Sequence, residues 1–466
     1  MKQAKMKFVY NRDCEMRVDS ENYELIKRSN LLNKKWYAKQ YKDVELLGMD
    51  PIEHYIKYGA HLGRDPSANF SASFYRENFL EKGSNDDPLL HYLKVGSKKG
   101  YKIKPNALHL RDLLKAGNRV RAKYLSQFCN KTVKETFPII EMAIETSGKE
   151  SRGKEYADAL NSSLLSPNDL SEINVSSEDD QNDFFLRIES EATSSASSGE
   201  LITVIMPAYN SEATIAKSIS SILKQTWQNL QLIVVDDCSS DKTYEVAQKA
   251  LANDKRAILL KNEKNVGPYV SKNLALKYAK GEYITGQDAD DWSHPQRLEK
   301  HMELIKKDGY VRASMAYMFR MQMDGTIEIR REGLLIGSSI STMYQAEFLK
   351  TTLGHWDCAK FGADSELISR AKKFLGDEFK YYKFPSMVCL ASPDSLTSNP
   401  EYGVSVEHGL SPARVEYRKA WTDWHESIGK KDLYLPFPHI ERKFSIPAHA
   451  FIPIENICEN MSLHEN

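Results

Sequence analysis

From Leu201 onwards the chain alternates short apolar runs with amphipathic segments, and this pattern restricts its fold more than any other feature. The runs LITVIM, LQLIVV, AILL and GEYIT predict buried strands, and segments such as TYEVAQKAL predict helices between them. Parallel neighbouring strands need a crossover connection, which is usually a helix. The sequence therefore predicts an α/β domain over residues 201–400, built on a doubly wound, mostly parallel sheet.

Polar side chains follow three of these predicted strands, at the sheet edge where open α/β folds bind their ligands. The three stretches are Pro207-Ala208-Tyr209-Asn210 with nearby Glu212, then Asp236-Asp237, then Gln287-Asp288-Ala289-Asp290-Asp291. Any one of these residues, taken alone, is more often a helix cap or a turn residue. Their joint occurrence at strand ends favours a binding site.

The Asp288–Asp291 stretch has the composition of a site for a hard divalent cation. Several carboxylates on one tight turn repel one another without a counter-charge, and their oxygens are the ligands that Mg²⁺ and Mn²⁺ prefer. A cation bridging Asp290 to a diphosphate would neutralise the charge that develops as this group departs. The stretch therefore predicts metal-assisted group transfer.

The loop after the first strand argues against two other common classes of nucleotide enzyme, kinases and dehydrogenases. It contains neither the GxxxxGK[ST] loop of phosphate-binding kinases nor the GxGxxG turn of dehydrogenases. A nucleotidyltransferase is disfavoured by the same absence. In place of glycines, the loop offers the Tyr209 ring to lie against a base, and Asp237 is suited to accept from a base N–H.

Together, the stretches VIMPAYNSE, VVDDCSSD, NVG with the following SKN, and QDADD resemble the motifs of glycosyltransferase family 2, whose catalytic domain has the GT-A fold. The resemblance covers about 200 of the 466 residues. It implies an inverting transferase whose nucleotide sugar contacts Pro207, Ala208, Tyr209, Asn210, Glu212, Asp237, Lys272, Asp288 and Ala289. It also implies that Asp288 and Asp290 form the D-x-D element, with Asp290 the direct ligand of Mn²⁺ or Mg²⁺.

One position departs from the family pattern, and one further segment follows it. Lys272 stands where the family often has arginine, and lysine lacks the bidentate geometry of a guanidinium. The segment FGADSEL is similar to the family's G-x-D-x-E-L, which implies that Asp364 is the catalytic base. Glu366 either assists it or contacts its own helix neighbours. His355 and Trp356 are candidates for the acceptor pocket, and Trp356 is equally a candidate core residue.

The resemblance also implies partners and a setting. The donor is expected to be a UDP-sugar, and the acceptor a glycan or a lipid-linked glycan in the synthesis of a bacterial capsule, lipopolysaccharide or exopolysaccharide. The Q-x-x-R-W motif of processive members is absent from the sequence. The alternative is a transferase fold that has lost activity and serves as a scaffold or a glycan-binding protein.

Residues 1–160 have helical periodicity and contain two repeats, at about 36–66 and 74–105. Pro51, His54, Tyr55, Gly59 and Gly63 recur 37 positions later, at Pro88, His91, Tyr92, Gly96 and Gly100. Repeats of this length are stacked helical units that bury one face against each other. We expect His54 and His91 to pack inside the repeats, and the repeats to be a candidate surface for homo-oligomers.

Composition shifts after this region. Residues 161–200 are rich in Ser, Asn, Asp and Glu, which predicts a flexible acidic linker. Residues 401–466 predict a helical C-terminal extension.

The net charge gives no indication of a nucleic-acid partner. Lys plus Arg and Asp plus Glu both number 64, so no excess of positive charge favours binding to nucleic acid.

The cysteines and the hydropathy pattern bear on the cellular setting. Cys14, Cys129, Cys238, Cys358, Cys389 and Cys458 lack the spacing of a zinc or disulfide framework. No apolar window is long enough for a membrane span. A cytoplasmic protein with peripheral association at the inner face of the cytoplasmic membrane is expected.

Overall fold

The computed structural model describes residues 19–145, 153–176, 183–192, 199–252, 254–330, 333–392, 395–399, 401–405 and 409–464. The chain divides into an N-terminal unit, Met1–Phe137, and a C-terminal unit, Pro138–Asn466. Cys14 and parts of the predicted linker, residues 177–182 and 193–198, lie outside the described residues.

The N-terminal unit consists of short helices. They are α1 (Ser20–Ser29), α2 (Lys34–Gln40), α3 (Asp43–Leu46), α4 (Pro51–His54), α5 (Ala72–Phe79), α6 (Pro88–His91), α7 (Ala107–Lys115) and α8 (Arg119–Ser126), and α9 (Lys131–Glu145) follows. Helices α4 and α6 each begin with proline and are capped by an aspartate, Asp50 or Asp87, whose side chain accepts from the backbone of the first turn. Each continues into a π-helical turn, Tyr55–Gly59 or Tyr92–Gly96.

The two sequence repeats have the same internal packing. The Tyr37 hydroxyl lies 3.2 Å from His54 Nδ1, and the Tyr75 hydroxyl lies 2.9 Å from His91 Nδ1. A Cβ added at Gly59 or Gly96 would lie 2.1 Å from the tyrosine hydroxyl of its own repeat. The glycines therefore recur because a tyrosine passes directly over them, and the packing role predicted for both histidines is confirmed.

The C-terminal unit combines further helices with thirteen strands among its described residues. Its helices are α10 (Lys154–Leu160), α11 (Phe184–Arg187), α12 (Ile215–Leu223), α13 (Thr243–Leu251), α14 (Gly267–Leu276), α15 (Arg297–Lys307), α16 (Ala363–Leu375), α17 (Pro412–Ser427) and α18 (Ile454–Leu463). Its strands are β1 (Asn174–Val175), β2 (Ile188–Glu189), β3 (Ile202–Ala208), β4 (Leu230–Asp236), β5 (Ala257–Lys261), β6 (Tyr283–Gly286), β7 (Trp292–Ser293), β8 (Ala313–Met321), β9 (Ile336–Gly337), β10 (Met343–Gln345), β11 (Lys380–Leu390), β12 (Val404–Ser405) and β13 (Gly409–Leu410).

The central sheet has nine strands in the order β5-β4-β3-β6-β10-β8-β11-β7, with β9 beside β8. The pairs β5–β4, β4–β3, β3–β6 and β8–β11 are parallel, and the remaining pairs are antiparallel. The sheet is thus mixed, which corrects the mostly parallel sheet that we predicted. The predicted alternation ends at β6, and the later strands are paired by long-range contacts that local periodicity does not encode.

Strand direction brings several strand ends to one edge of this sheet. Since β10 is antiparallel to both β6 and β8, those two strands run in the same direction. The carboxyl ends of β3, β4, β5, β6, β8 and β11 therefore share an edge. Buried side chains such as Ile205, Ile233 and Leu367 join this sheet to its flanking helices in one apolar core. The rigid sheet thereby fixes the positions of the loops at that edge.

The described parts of residues 161–200 are packed, which differs from the flexible linker that we expected. Ser171 N donates to Gln296 Oε1 at 2.6 Å, and Phe184 and Phe185 are each 1% exposed. Despite its polar composition, this segment contains a few large apolar residues that are buried against other parts of the C-terminal unit.

The C-terminal extension contains two α-helices, α17 and α18, separated by a stretch with little regular structure. Tyr417, Trp421 and Phe444 from this extension share a buried cluster with Ala359 and Phe361. The extension is therefore integral to the core around the FGADSEL segment.

Candidate active site

The loops that follow β3 and β4 are hydrogen bonded to each other. Asn210 Oδ1 accepts from Ser240 N at 2.9 Å, and Glu212 Oε2 accepts from Lys242 N at 2.9 Å. Asn210 has a positive φ of 46°, which asparagine tolerates better than most residues. Tyr209, next to it, leaves 51% of its surface exposed at the same edge. The structure thus brings the predicted first-loop residues together, with one aromatic ring open to solvent.

Asp237 lies under these loops and is only 2% exposed. Its carboxylate accepts from Asn262 Nδ2 at 2.8 Å, from Val266 N at 3.0 Å and from Gly267 N at 2.7 Å. Burial raises the pKa of Asp237 to about 6, although these hydrogen bonds oppose the shift. Asp237 therefore caps the start of α14, and the contact with a base that we predicted for it stays a prediction.

The carboxylates of Asp288, Asp290 and Asp291 form a cluster at the end of β6, with one oxygen of each within 4.8 Å of the others. Burial, with the charges of Asp290 and Asp364, raises the pKa of Asp288 to about 7, while the Lys272 ammonium acts in the opposite direction. Burial also raises the pKa of Asp290 and of Asp291. The cluster holds more negative charge than its protein surroundings neutralise.

A buried polar network holds the turn that carries these aspartates. Arg297 is fully buried, and its guanidinium donates to Gln287 Oε1 at 2.7 Å and to Gly286 O at 2.7 Å. Gln287 Nε2 in turn donates to Asp291 O at 2.9 Å. Asp291 Oδ1 accepts from Leu390 N at 2.9 Å, which leaves Asp288 and Asp290 as the less engaged members of the cluster.

Asp364, in the first turn of α16, lies close to this cluster. Lys272 Nζ is 3.2 Å from Asp364 Oδ1, and Trp356 Nε1 donates to the same oxygen at 3.1 Å. The Asp364 side chain is 13% exposed, and its charge acts on Asp288. The structure therefore places Asp364, Lys272 and Trp356 in contact with one another beside the aspartate cluster.

The side chains of Glu366 and His355 contact residues outside the aspartate cluster. Glu366 is fully buried, with Oε1 2.6 Å from Arg370 Nε and 3.0 Å from His425 Nε2. His355 packs against Phe437 of the C-terminal extension, with ring centroids 5.5 Å apart. Of the two interpretations of Glu366, these contacts favour the structural one.

Sequence reasoning missed three arginines around this site: Arg297, Arg320 and Arg414. The charge of Arg320 acts on the aspartates from the β8 side, and Arg414 Nη1 is 3.9 Å from the point where a Cβ on Gly362 would lie. Of the three, only Arg297 could have been recognised from the sequence, because it begins a helix whose buried face carries Leu298, Met302 and Ile305. A charged residue on such a face must have a buried partner.

The fold and the site define an α/β protein with a mixed sheet, linked loops and a carboxylate cluster at one sheet edge. Residues 203–362 match the profile of Glycosyl transferase family 2. This stretch of the chain is therefore a glycosyltransferase family 2 domain.

Curated relatives are also similar to part of this chain. An uncharacterized glycosyltransferase of Haemophilus influenzae is 35% identical over 223 residues, which are 44% of this chain and 66% of the relative. The putative glycosyltransferase EpsE of Bacillus subtilis is 43% identical over 111 residues, 24% of this chain and 40% of the relative. The chain spans about half the length of the curated relatives it matches.

Two solved structures are also similar. Staphylococcus aureus TarS 1-349 in complex with UDP has 24% sequence identity and a TM-score of 0.35, covering 41% of this chain and 61% of that one. The mannosyltransferase PcManGT of Pyrobaculum calidifontis, in complex with GDP-Man and Mn²⁺, has 20% identity and a TM-score of 0.33, covering 43% and 59%. Within the described part of this chain, no helix has the length and apolar character to cross a bilayer.

Proposed function

We propose that this chain is a metal-dependent inverting glycosyltransferase, which moves a sugar from a nucleotide diphosphate to an acceptor hydroxyl. One observation carries the proposal: the Asp288–Asp290–Asp291 cluster lies at the shared strand-end edge, beside the separate carboxylate of Asp364. A transfer of this kind needs a cation site and a base next to each other. The family match supports the same reaction class.

The donor atoms of the cluster fit Mn²⁺ or Mg²⁺. They are all carboxylate oxygens, which hard cations prefer, and the charges of the three aspartates repel one another. Asp290 and Asp288 would hold the ion, while Asp291 is braced by Leu390 N. A bound ion would supply Lewis-acid stabilisation of the departing diphosphate.

Asp364 is the proposed base. The acceptor hydroxyl gives its proton to an Asp364 oxygen, and its own oxygen forms a bond to the anomeric carbon of the donor sugar. The bond from that carbon to the phosphate oxygen breaks, and the nucleoside diphosphate leaves with the electron pair. Lys272 and Trp356 hold one Asp364 oxygen by hydrogen bonds, which orients the other one toward the acceptor.

The nucleotide is proposed to bind at the β3 and β4 loops. Tyr209 offers an exposed ring for stacking, and the Asn210 and Glu212 side chains fix the loop that carries it. The other proposed contacts are Pro207, Ala208, Asp237, Lys272, Asp288 and Ala289.

The names of two relatives suggest the substrates. WfgD and WfaP of Escherichia coli are named UDP-Glc:alpha-D-GlcNAc-diphosphoundecaprenol beta-1,3-glucosyltransferases, and they are 37% and 41% identical over 142 and 109 residues. A β-linked product from an α-linked nucleotide sugar requires inversion. We therefore propose a UDP-sugar donor and a lipid-linked acceptor in bacterial polysaccharide synthesis, with a cytoplasmic enzyme acting at the inner membrane face.

A donor screen tests the proposal. Purified protein is incubated with UDP-, GDP- and dTDP-sugars, and with a short-chain GlcNAc diphosphate lipid as acceptor, in Mn²⁺ or in EDTA. Nucleoside diphosphate release is measured for wild type, Asp290→Ala and Asp364→Asn, with Asp377→Asn as a control at an exposed acid outside the site. Release from one donor that is lost in EDTA and in both site variants, but not in the control, supports the assigned roles.

The same screen also tests the alternative, a transferase fold that has lost activity and serves as a scaffold. If no donor is cleaved and no nucleotide binds in the presence of Mn²⁺, the chain is an inactive scaffold. Release that persists in Asp364→Asn at the wild-type rate would remove Asp364 as the base.

A further inference from the structure

A second feature of the strand-end edge is a cavity of about 740 Å³ next to the aspartate cluster. Its walls come from the carboxyl ends of the parallel strands β8 and β11 and from the segments that follow them. Residues that line it include Arg320, Gln322, Glu328, Arg330, Ser392 and Thr397. Only residues up to 362 match the family profile, so its β11 wall lies beyond the family match.

The cavity adjoins the cluster through short contacts. Arg320 Nη2 donates to Leu390 O at 3.3 Å, and Leu390 N donates to Asp291 Oδ1 at 2.9 Å. These two hydrogen bonds join the Arg320 wall of the cavity to Asp291 through a single residue, Leu390.

The charges that line the cavity cancel. Glu328 lies between two guanidinium groups, 3.1 Å from Arg320 Nε and 2.7 Å from Arg330 Nη2. With Asp324, the described lining residues carry two formal positive and two formal negative charges. Among these residues, an anionic ligand would find no surplus positive charge.

From this geometry we propose that the cavity is the subsite for an uncharged acceptor sugar, an inference that rests on the proposed transferase function. A sugar hydroxyl both donates and accepts, so a carboxylate and a guanidinium side by side can bind neighbouring hydroxyls. Apolar lining residues such as Leu390 and Val404 suit the C–H face of a sugar ring. The volume lies within the range of small-ligand pockets and accommodates one or two sugar rings.

Direct binding of simple glycosides tests the inference without turnover. Saturation-transfer NMR is recorded on the full chain with octyl glucoside, octyl N-acetylglucosaminide and octyl glucuronide, below their micelle concentrations, with UDP and Mn²⁺ present. Variants are Glu328→Gln, which removes the bridging charge, and Thr397→Trp, which fills the cavity. Glu347→Gln, at an exposed position away from the cavity, is the matched control.

We expect at least one uncharged glycoside to bind, and the glucuronide to bind about tenfold more weakly. Glu328→Gln should weaken the uncharged glycoside about fivefold and reduce the discrimination against the glucuronide, because the lining gains net positive charge. Thr397→Trp should abolish glycoside binding and leave UDP binding intact, which shows that the variant is folded. The control should behave as wild type.

Three results would overturn the inference: no uncharged glycoside binds, the glucuronide binds best, or neither cavity variant changes binding. UDP binding in the same samples separates this inference from the proposed function. UDP that binds while glycosides do not removes the subsite alone. Glycosides that bind at the cavity while no nucleotide binds with Mn²⁺ would leave a sugar site and remove the transferase.

Discussion

Lys272 Nζ lies 3.2 Å from Asp364 Oδ1, although the two residues are 92 positions apart in the chain. Lys272 is on α14, which packs against β3 and β4, and Asp364 lies in the first turn of α16. The side chains are 3% and 13% exposed, so solvent screens the pair only weakly. The same ammonium lowers the pKa of Asp288 against the effect of burial. One lysine thus serves both the proposed base and the proposed metal ligand.

Replacing Lys272 by methionine should weaken metal binding most at low pH. Without the ammonium, the pKa of Asp288 rises further above about 7, and protons compete better with Mn²⁺. We expect Mn²⁺ affinity to fall at least fivefold at pH 7 and to approach wild type at pH 8.5, as measured by calorimetry. Lys272→Arg, which keeps the charge, should lose less. Equal affinities for wild type and Lys272→Met at both pH values would contradict this coupling.

The aspartate cluster should make stabilisation by Mn²⁺ pH dependent. The pKa of Asp288 is raised to about 7, so the folded chain binds this proton more tightly than the unfolded chain does. Its contribution to stability is complete below about pH 4 and is lost as pH rises through about 7. Mn²⁺ replaces the proton, so it should raise Tm more at pH 8 than at pH 6. Asp288→Asn should reduce this difference without abolishing it, because the raised pKa values of Asp290 and Asp291 remain, and Asp377→Asn should keep the difference in full.

Much of the candidate site was predictable from the sequence, because its residues come soon after predicted strands. Tyr209, Asp237 and Asp288 each come directly after an apolar run, and a parallel sheet brings such positions to one edge. The prediction that these residues lie at one edge of the sheet therefore required no knowledge of the strand order.

Residues supplied by distant segments were not predictable in the same way. The Leu390 amide reaches Asp291 over 99 positions, and Arg442 reaches Asp357 over 85. Neither contact is indicated by a local hydrophobic period or by turn residues in the sequence. The antiparallel insertion of β10 was missed for the same reason, because its partners lie far along the chain.

The repeat glycines should not tolerate even one methyl group. A Cβ at Gly59 would lie 2.1 Å from the Tyr37 hydroxyl, and overpacking of this kind costs about 1–3 kcal/mol. We expect Gly59→Ala to lower the free energy of unfolding accordingly, measured by urea titration with hydrogen exchange to localise the loss. Tyr37→Phe removes the clashing oxygen, so the double variant should be less destabilised than the sum of the two single ones. Additive losses would show that the clash is relieved in another way.

Asp357 bonds the C-terminal extension to the segment that precedes Asp364. Its fully buried carboxylate lies 2.6 Å from Arg442 Nη2 and 2.8 Å from His439 Nδ1, and it accepts from the Tyr417 hydroxyl at 2.7 Å. Burial raises the pKa of Asp357, but the His439 hydrogen bond and the Arg442 charge outweigh it, so the pKa lies below its usual range. A lowered pKa contributes stability that is present above about pH 4 and lost as pH falls through the folded value.

Removing the Arg442 charge should therefore destabilise the fold and loosen Asp364. Arg442→Met leaves a buried carboxylate with fewer partners, and breaking a buried pair costs about 3–5 kcal/mol. Because Trp356 adjoins Asp357 and donates to Asp364, we expect faster amide exchange over residues 355–366 and a kcat lower by at least tenfold, with little change in the donor KM. Arg442→Lys should recover part of both effects, while Lys419→Met, at an exposed surface pair on α17, should change neither. Wild-type exchange and kcat in Arg442→Met would mean that the extension covers the core without positioning the base.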